Sequence, residues 1–336
     1  MSKKKTIYTI ADELGLAPGT ISKVINHKGN VSDKTRKRVL DYIEKIGYVP
    51  TASARMLKSK RTYTIGIVFS EDLKIGLEQS FFSSILQNFK NYAEDQGYEL
   101  SFIVRKLGKN TLSYYEWCLN KRVDGVYIVV GDYNDSELID LVNSEIPCVS
   151  TDMVIPGLHT VISDNEQGMN LILDYIKNSL KKTCVAMITG PKSSKAFKER
   201  TEMFLSLHES YGINKAQVVH VEGFGFTSGY NGVAELLKNK LPEVIIVSSD
   251  DIALGVLKAL ADAKINVPKD IQVIGFDDIV YAKHFTPPLT TIRQNRVLLG
   301  EKAAQDLITM IENETKFDEE IVKIPVELVL RNTTKE

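Results

Sequence analysis

Apolar residues recur every three to four positions through the first 46 residues, then give way to short β-branched runs from Thr64 onward. Ile7, Ile10, Ala11 and Leu14 predict one helix, stopped by Gly15. Pro18 suits a first helical position and opens a second, with Ile21, Val24 and Ile25 on one face. Ser32 and Thr35 start a third, whose stripe is Val39, Leu40, Ile43 and Ile46 before Gly47 ends it. Two short helices across a tight glycine-containing turn, braced by a third, predict a helix-turn-helix. On the second helix the positions off the core are Pro18, Gly19, Ser22, Lys23 and Asn26. They are short or polar and carry no acid, as a helix lying in a DNA major groove requires.

The runs after Thr64 alternate with amphipathic helical patterns. Thr64–Phe69, Leu100–Val104, Gly125–Val130 and Pro147–Ser150 form one series. Val185–Thr189, Val218–Val221, Val244–Val247 and Gln272–Phe276 form another. Strands alternating with helices imply doubly wound parallel sheets. Two such series imply two similar lobes, with a ligand held between them at the C-terminal strand ends.

Charge sharpens this division. Residues 1–62 carry 14 basic against 5 acidic side chains, whereas the rest carry 28 against 38. A positive module on an acidic body suits a protein that places one end on a polyanion. The basic N-terminus lacks the apolar stretch of a signal peptide, and no apolar run reaches the ~18–20 residues needed to span a bilayer. The expectation is a cytoplasmic protein. Cys118, Cys148 and Cys184 are odd in number, far apart and set in apolar runs, so they read as reduced buried thiols. His27, His159, His208, His220 and His284 form no metal-spaced pairs, and no metal site or cofactor is expected. Asp250-Asp251 and Asp277-Asp278 could in principle be the paired acids of a sugar-processing enzyme. That is the distant alternative to a regulator.

The headpiece resembles that of the LacI/GalR family of bacterial repressors. The match runs through Thr6-Ile7 to Ala11, Thr20 to Asn26, Thr35-Arg36 and Gly47-Tyr48-Val49-Pro50. It continues through Ala52, Ala54, Arg55 and Leu57-Lys58 into a hinge. Farther on, Val273-Ile274-Gly275-Phe276-Asp277-Asp278 and Thr286-Pro287-Pro288-Leu289-Thr290-Thr291-Ile292 are family signatures. The resemblance implies an all-α helix-turn-helix headpiece plus an α/β two-lobed, periplasmic-binding-protein-like domain. The expected segments are a headpiece over 1–50, a hinge over 51–62 and a sensing body over 63–336. The first lobe is expected over 63–161 and 292–321, and the second over 163–289 and 322–336. The crossings then fall near Ile162, Thr290–Ile292 and Glu320–Ile324.

Carried over by this resemblance, Pro18, Gly19 and Lys23 occupy the base-reading positions of double-stranded DNA recognition. Gly19 has no side chain to read a base, so readout leans on Lys23, which can donate to guanine O6 and N7. Ala17 replaces a Ser/Thr cap, at a cost of ~1 kcal/mol. Thr6, Thr20, Ser22, Asn26, Lys34 and Arg36 are expected to contact and position the backbone. So are Ala54, Arg55 and Lys58, while Leu57 is expected to wedge into the minor groove. A palindromic operator and a homodimer, or a higher oligomer, follow. The dimer surface is expected on the first lobe, around Tyr114, Tyr115 and the 82–96 helix.

In the body, Asp277 and Arg200 are expected to hold ligand oxygens, and Phe224 to form an aromatic platform. Phe81, Phe82, Asp152, Ser249, Asp250 and Gln294 are further ligand candidates, and Asp164 lies beside a crossing. Position alone leaves helix capping open for Asp277 and a core role open for each phenylalanine. Met153 stands where some family members place a stacking tryptophan, and Trp117 falls on an expected outer helix. Lys192 and Lys195 flank a serine pair whose loop suits either a phosphate-bearing ligand or plain solvent. The expected effector is a small molecule, a sugar or sugar phosphate, switching a repressor of a carbohydrate-related operon. A global regulator switched by a phosphorylated carrier protein remains the alternative.

Overall fold

The computed structural model describes residues 6–25, 29–48, 61–69, 76–77, 79–238, 241–315 and 320–335. The chain divides into two compact units, residues 1–63 and 64–336.

In the first unit, helices α1 (Ile7–Leu14), α2 (Pro18–Ile25) and α3 (Asp33–Ile46) surround a small core. Ile10, Ala11, Leu14, Ile21, Val24, Val39 and Tyr48 are its buried residues. Thr6 caps α1 in a reciprocal capping box with Thr9, and Gly15 closes it in the left-handed conformation at φ 62°. The Ala17 carbonyl accepts from the Thr20 and Ile21 amides, so its backbone begins α2 without a side-chain cap. Tyr42 donates to Glu13 at 2.8 Å and ties α3 to α1. One member of the expected α3 stripe does not join the core. Leu40 is 38% exposed, because Val39 takes the inward position and α3 leaves its neighbour on the outer face.

The second unit has two six-stranded sheets. The first orders β13-β7-β6-β5-β1-β2 and the second β14-β12-β11-β10-β8-β9. Their strands in chain order are β1 Thr64–Phe69, β2 Glu99–Phe102, β5 Gly125–Val130, β6 Cys148–Thr151, β7 His159–Ser163, β8 Cys184–Thr189 and β9 Lys215–His220. They continue as β10 Val244–Val247, β11 Gln272–Asp277, β12 Thr290–Gln294, β13 Ile321–Ile324 and β14 Val326–Val329. A two-stranded hairpin, β3 Lys106–Leu107 with β4 Asn110–Thr111, stands apart. Every residue of β5 and β11 is buried, as parallel strands covered on both faces require. Within the two six-stranded sheets, β14 alone among the described strands runs antiparallel, against β12.

The crossings between lobes fall a few residues beyond those expected, at Asp164, Asn295 and Pro325. Each expected crossing lies inside a strand that still holds its ladder. Ile162 pairs with Lys323 and Ser163 with Ile324, so β7 and β13 both complete the first sheet. Thr291 to Gln294 pair with Val329 to Val326, which keeps β12 in the second.

Seven helices after α3 cover the sheets: α4 Ser80–Asp95, α5 Tyr114–Lys121, α6 Ser136–Asn143, α7 Asn165–Tyr175, α8 Lys195–Leu207, α9 Phe226–Leu236 and α10 Asp250–Asp262. An eighth, α11 Arg296–Asn313, follows the second crossing and packs on α4. Trp117 is buried at 2% exposure, so α5 turns its tryptophan into the first lobe's core instead of outward. Burial pushes the Cys118 thiol beside it up to about 12. Helices α9 and α10 approach each other closely through glycines. A Cβ on Gly229 would stand 2.0 Å from the Ile252 carbonyl oxygen, and one on Gly255 would stand 1.9 Å from that of Phe226.

Candidate functional site

In each sheet the strand order reverses beside the strand that opens it, β1 in the first lobe and β8 in the second. At such a switch point the following loops diverge and leave a crevice. A cavity of about 30 Å³ lies there, lined by Gln79, Phe81 and Phe82 of the first lobe and by Arg200, Phe224 and Asp277 of the second. Asp152, Ser194, Phe197 and Ser249 complete it. The lobes therefore stand nearly closed, since a sugar-sized ligand needs several hundred Å³. Gln79 bridges them by donating to Asp251 at 2.9 Å.

Arg200 sits at the centre with 2% exposure. Its Nε donates to Asn165 at 2.8 Å and its Nη1 to the Ser248 carbonyl at 2.6 Å. The guanidinium lies 3.6 Å from the centre of the Phe276 ring and 3.8 Å from Asp277. Asp277 ends β11 at φ 123°, and Asp152 follows β6 at φ 62°. Both hold left-handed backbone that side chains other than glycine seldom adopt, a strain that collects at functional sites. Gln294 donates to Asp277 at 2.5 Å from outside the cavity lining.

Burial raises the proton affinity of these acids. Asp277 is pushed up to about 7 and Asp152 to about 6, with the Arg200 charge opposing the rise in both. Asp250 is also raised well above its ordinary value, by burial first and then by the Asp277 charge. A carboxyl whose folded pKa is raised stabilises the fold below its unfolded pKa and loses that stability as pH climbs through the folded value. The body should therefore unfold more easily at about pH 8 than at about pH 5, by roughly 1–3 kcal/mol. Urea titrations across that range check this, and Asp277→Asn should flatten the slope. Asp278 behaves oppositely. Against the cost of burial, hydrogen bonds from Arg293 at 2.7 Å and Arg331 at 2.5 Å hold it below its ordinary value.

The structure separates the candidates. Phe81, Phe82, Asp152, Arg200, Phe224, Ser249 and Asp277 line one cavity, whereas Asp250 and Gln294 lie outside its lining. Asp250 is wholly buried and accepts from Thr291 Oγ1 at 2.6 Å and the Ile279 amide at 3.0 Å, which braces the turn after β11. Asp164 caps α7 through the Gln167 amide at 2.9 Å. Ser249 caps α10, so its hydroxyl already accepts one bond. Asp277 is not a helix cap. Lys192 lines a neighbouring cavity of about 310 Å³ with Tyr133, Phe197, Lys198 and His220. Gln79 and Phe197 were missed by sequence reasoning, and Ser194 entered it only as part of the loop between Lys192 and Lys195. Gln79 and Ser194 are the caps of α4 and α8, so cap chemistry ahead of each helix was the available signal.

In the headpiece, Lys23 and Gly19 of α2 are exposed, while Pro18, Thr20 and Ser22 are half-buried around Ile21 and Val24. Lys34 is exposed and Arg36 half-buried on the first turn of α3. The Thr6 hydroxyl is engaged in its capping box. Asn26, Ala54, Arg55, Leu57 and Lys58 lie outside the described residues.

A helical DNA-reading module joined to a two-lobed body with a charged interlobe cavity defines a ligand-responsive transcription regulator. Comparison with known proteins places it further. The model of bacterial regulatory proteins of the lacI family matches residues 6–51, and that of a periplasmic binding protein-like domain matches 179–334. HTH-type transcriptional repressor PurR of Actinobacillus pleuropneumoniae serotype 3 (strain JL03) is 30% identical over 98% of both chains. Catabolite control protein A of Priestia megaterium is 30% identical over 98% of this chain and 99% of its own. The Lac repressor dimer bound to operator and the anti-inducer ONPF superposes with a TM-score of 0.83. It is 26% identical, and 99% of each chain is covered. The chain belongs to the LacI family. It is a sequence-specific DNA-binding transcriptional regulator and not an enzyme. No described helix is long and apolar enough to cross a membrane.

Proposed function

We propose that the protein is a cytoplasmic repressor of a carbohydrate-related operon, binding a palindromic operator as a homodimer and released or recruited by a small polar effector between its lobes. The observation that carries this reading is the cavity where Arg200, Asp277 and Asp152 converge beside Phe82 and Phe224. Carboxylates and a guanidinium suit vicinal hydroxyls, and the rings suit the apolar face of a sugar. The neighbouring cavity with Lys192 and Lys198 suits a phosphate carried by the same sugar. The Lac repressor, to which the chain is similar, forms a dimer on operator DNA with a ligand bound.

Of the expected dimer-surface residues on the first lobe, Tyr114 is only 3% exposed and Tyr115 is half-buried and donates to Glu145, which leaves the 82–96 helix as the exposed candidate there. The second lobe exposes Phe226, Tyr230, Val280 and Tyr281, and these are the better apolar candidates. A second reading is a global catabolite regulator switched by a phosphorylated carrier protein; the similarity to a catabolite control protein supports its catabolite-control part.

Operator binding by the purified protein, measured against a panel of sugars and sugar phosphates, tests the proposal. A compound that shifts operator affinity should lose its effect in Asp277→Asn while bare operator binding persists. If small molecules alone never shift affinity but a phosphorylated carrier does, the second reading replaces the first. Readout by Lys23 is tested by selection from random DNA. Lys23→Ala should relax preference at one position per half-site, by about 1–3 kcal/mol. An unchanged preference there would remove Lys23 from base recognition.

A further inference from the structure

Between α2 and α3 of the headpiece, Gly29 holds left-handed backbone at φ 77°. Successive carbons of the Lys23 stem run beside it. A Cβ on Gly29 would stand 3.6 Å from Lys23 Cγ, 3.2 Å from Cδ and 3.5 Å from Cε, its three nearest neighbours. The glycine is therefore a shelf that the apolar stem crosses lengthwise. A methyl group there would sit inside the best carbon–carbon separation, so the stem would have to lift.

The shelf is anchored on its far side. Val31 packs against the headpiece core, and Ser32 caps α3 by accepting from the Thr35 amide at 3.3 Å. On the near side Val24, next to Lys23, is buried in the same core. Both ends of the contact thus grow out of one rigid unit, although Lys23 itself is exposed on the last turn of α2.

A free lysine side chain samples many rotamers, and a contact to a base edge must freeze them. A stem already laid on Gly29 has lost part of that freedom before DNA arrives, which favours binding in one direction. Direction matters here more than in a headpiece with several readers. Of the three residues expected to read bases, Pro18 and Gly19 offer no side-chain donor, which leaves the Lys23 ammonium.

We propose that Gly29 is a positioning residue for base recognition, setting the direction of the Lys23 side chain. The inference rests on the base-reading role proposed for Lys23 and names what makes that lysine selective. A side chain at position 29 displaces the stem and also strains left-handed backbone. The two effects are separable, because Gly47 holds the same backbone region at φ 60° with nothing within 4 Å of its Cβ position.

Selection from random DNA by the full-length protein tests this in Gly29→Ala, Gly29→Asn, Gly47→Ala and Lys23→Ala. Gly29→Ala should lower discrimination at the position that Lys23→Ala relaxes, by roughly threefold or more, and leave preferences elsewhere unchanged. Gly29→Asn should do the same with less loss of stability, since asparagine tolerates left-handed backbone while still carrying a Cβ. Gly47→Ala carries the strain without the contact and should keep the preference at that position. In a Lys23→Ala background, Gly29→Ala should change preference no further. The proposal is overturned if both Gly29 variants keep the parent preference while Lys23→Ala relaxes it, or if Gly47→Ala relaxes it as much as they do. If Lys23→Ala itself changes no preference, the reading role fails first and the role of Gly29 falls with it.

Discussion

Arg200→Ala is expected to destabilise the sensing body by about 3–5 kcal/mol, the cost of removing one member of a buried charge network. The side chain makes two hydrogen bonds, lies on the Phe276 ring and opposes Asp277 and Asp152. Its loss leaves two acids in the interior with no compensating cation. The penalty should grow with pH, because the acids carry their charge only above the values to which burial has raised them. Urea unfolding at about pH 5 and about pH 8 reads both effects. Arg200→Lys should recover little, since an ammonium cannot keep the Nε and Nη1 bonds and lie flat on the ring together. A loss under about 1 kcal/mol at both pH values would mean that Arg200 is a ligand contact only, without a structural role.

Gly255→Ala should be comparably severe, at about 3 kcal/mol or more. The added methyl would meet the Phe226 carbonyl oxygen and the Tyr230 amide nitrogen at 1.9 and 2.7 Å. These are backbone atoms that cannot rotate aside, so α9 and α10 must separate. Ser249 caps α10 and Phe224 precedes α9, so the strain also reaches the cavity wall. Gly225→Ala is the control. A Cβ there meets nothing within 4 Å, and the cost should stay below about 1 kcal/mol. Equal losses at the two positions in thermal unfolding would refute the close-packing argument.

The architecture was readable because each level of the sequence agrees with the next. Helix stripes end at Gly15 and Gly47, and β-branched runs become strands buried on both faces. What the pattern did not reveal depends on contacts between distant segments. The crossings were displaced because Ile162 and Ile292 look like ends of apolar runs, while their ladder partners, Lys323 and Leu328, lie far along the chain. Asp250 and Asp277 follow strands in similar ways, yet one braces a turn and the other faces the cavity. The difference arises from Thr291 and Ile279, which take both oxygens of Asp250. Gln79 is legible in the sequence only as a helix cap, because the partner that makes it a bridge, Asp251, lies on the other lobe.

The three crossings have a consequence for how the body holds together. Neither lobe is a continuous stretch of chain, since α11 and β13 return to the first lobe after the second has been built. A single proteolytic nick at Asp164, Asn295 or Pro325 therefore frees no lobe, because two uncut crossings still join the lobes. Separating the lobes as independent fragments would require rejoining the chain in a new order.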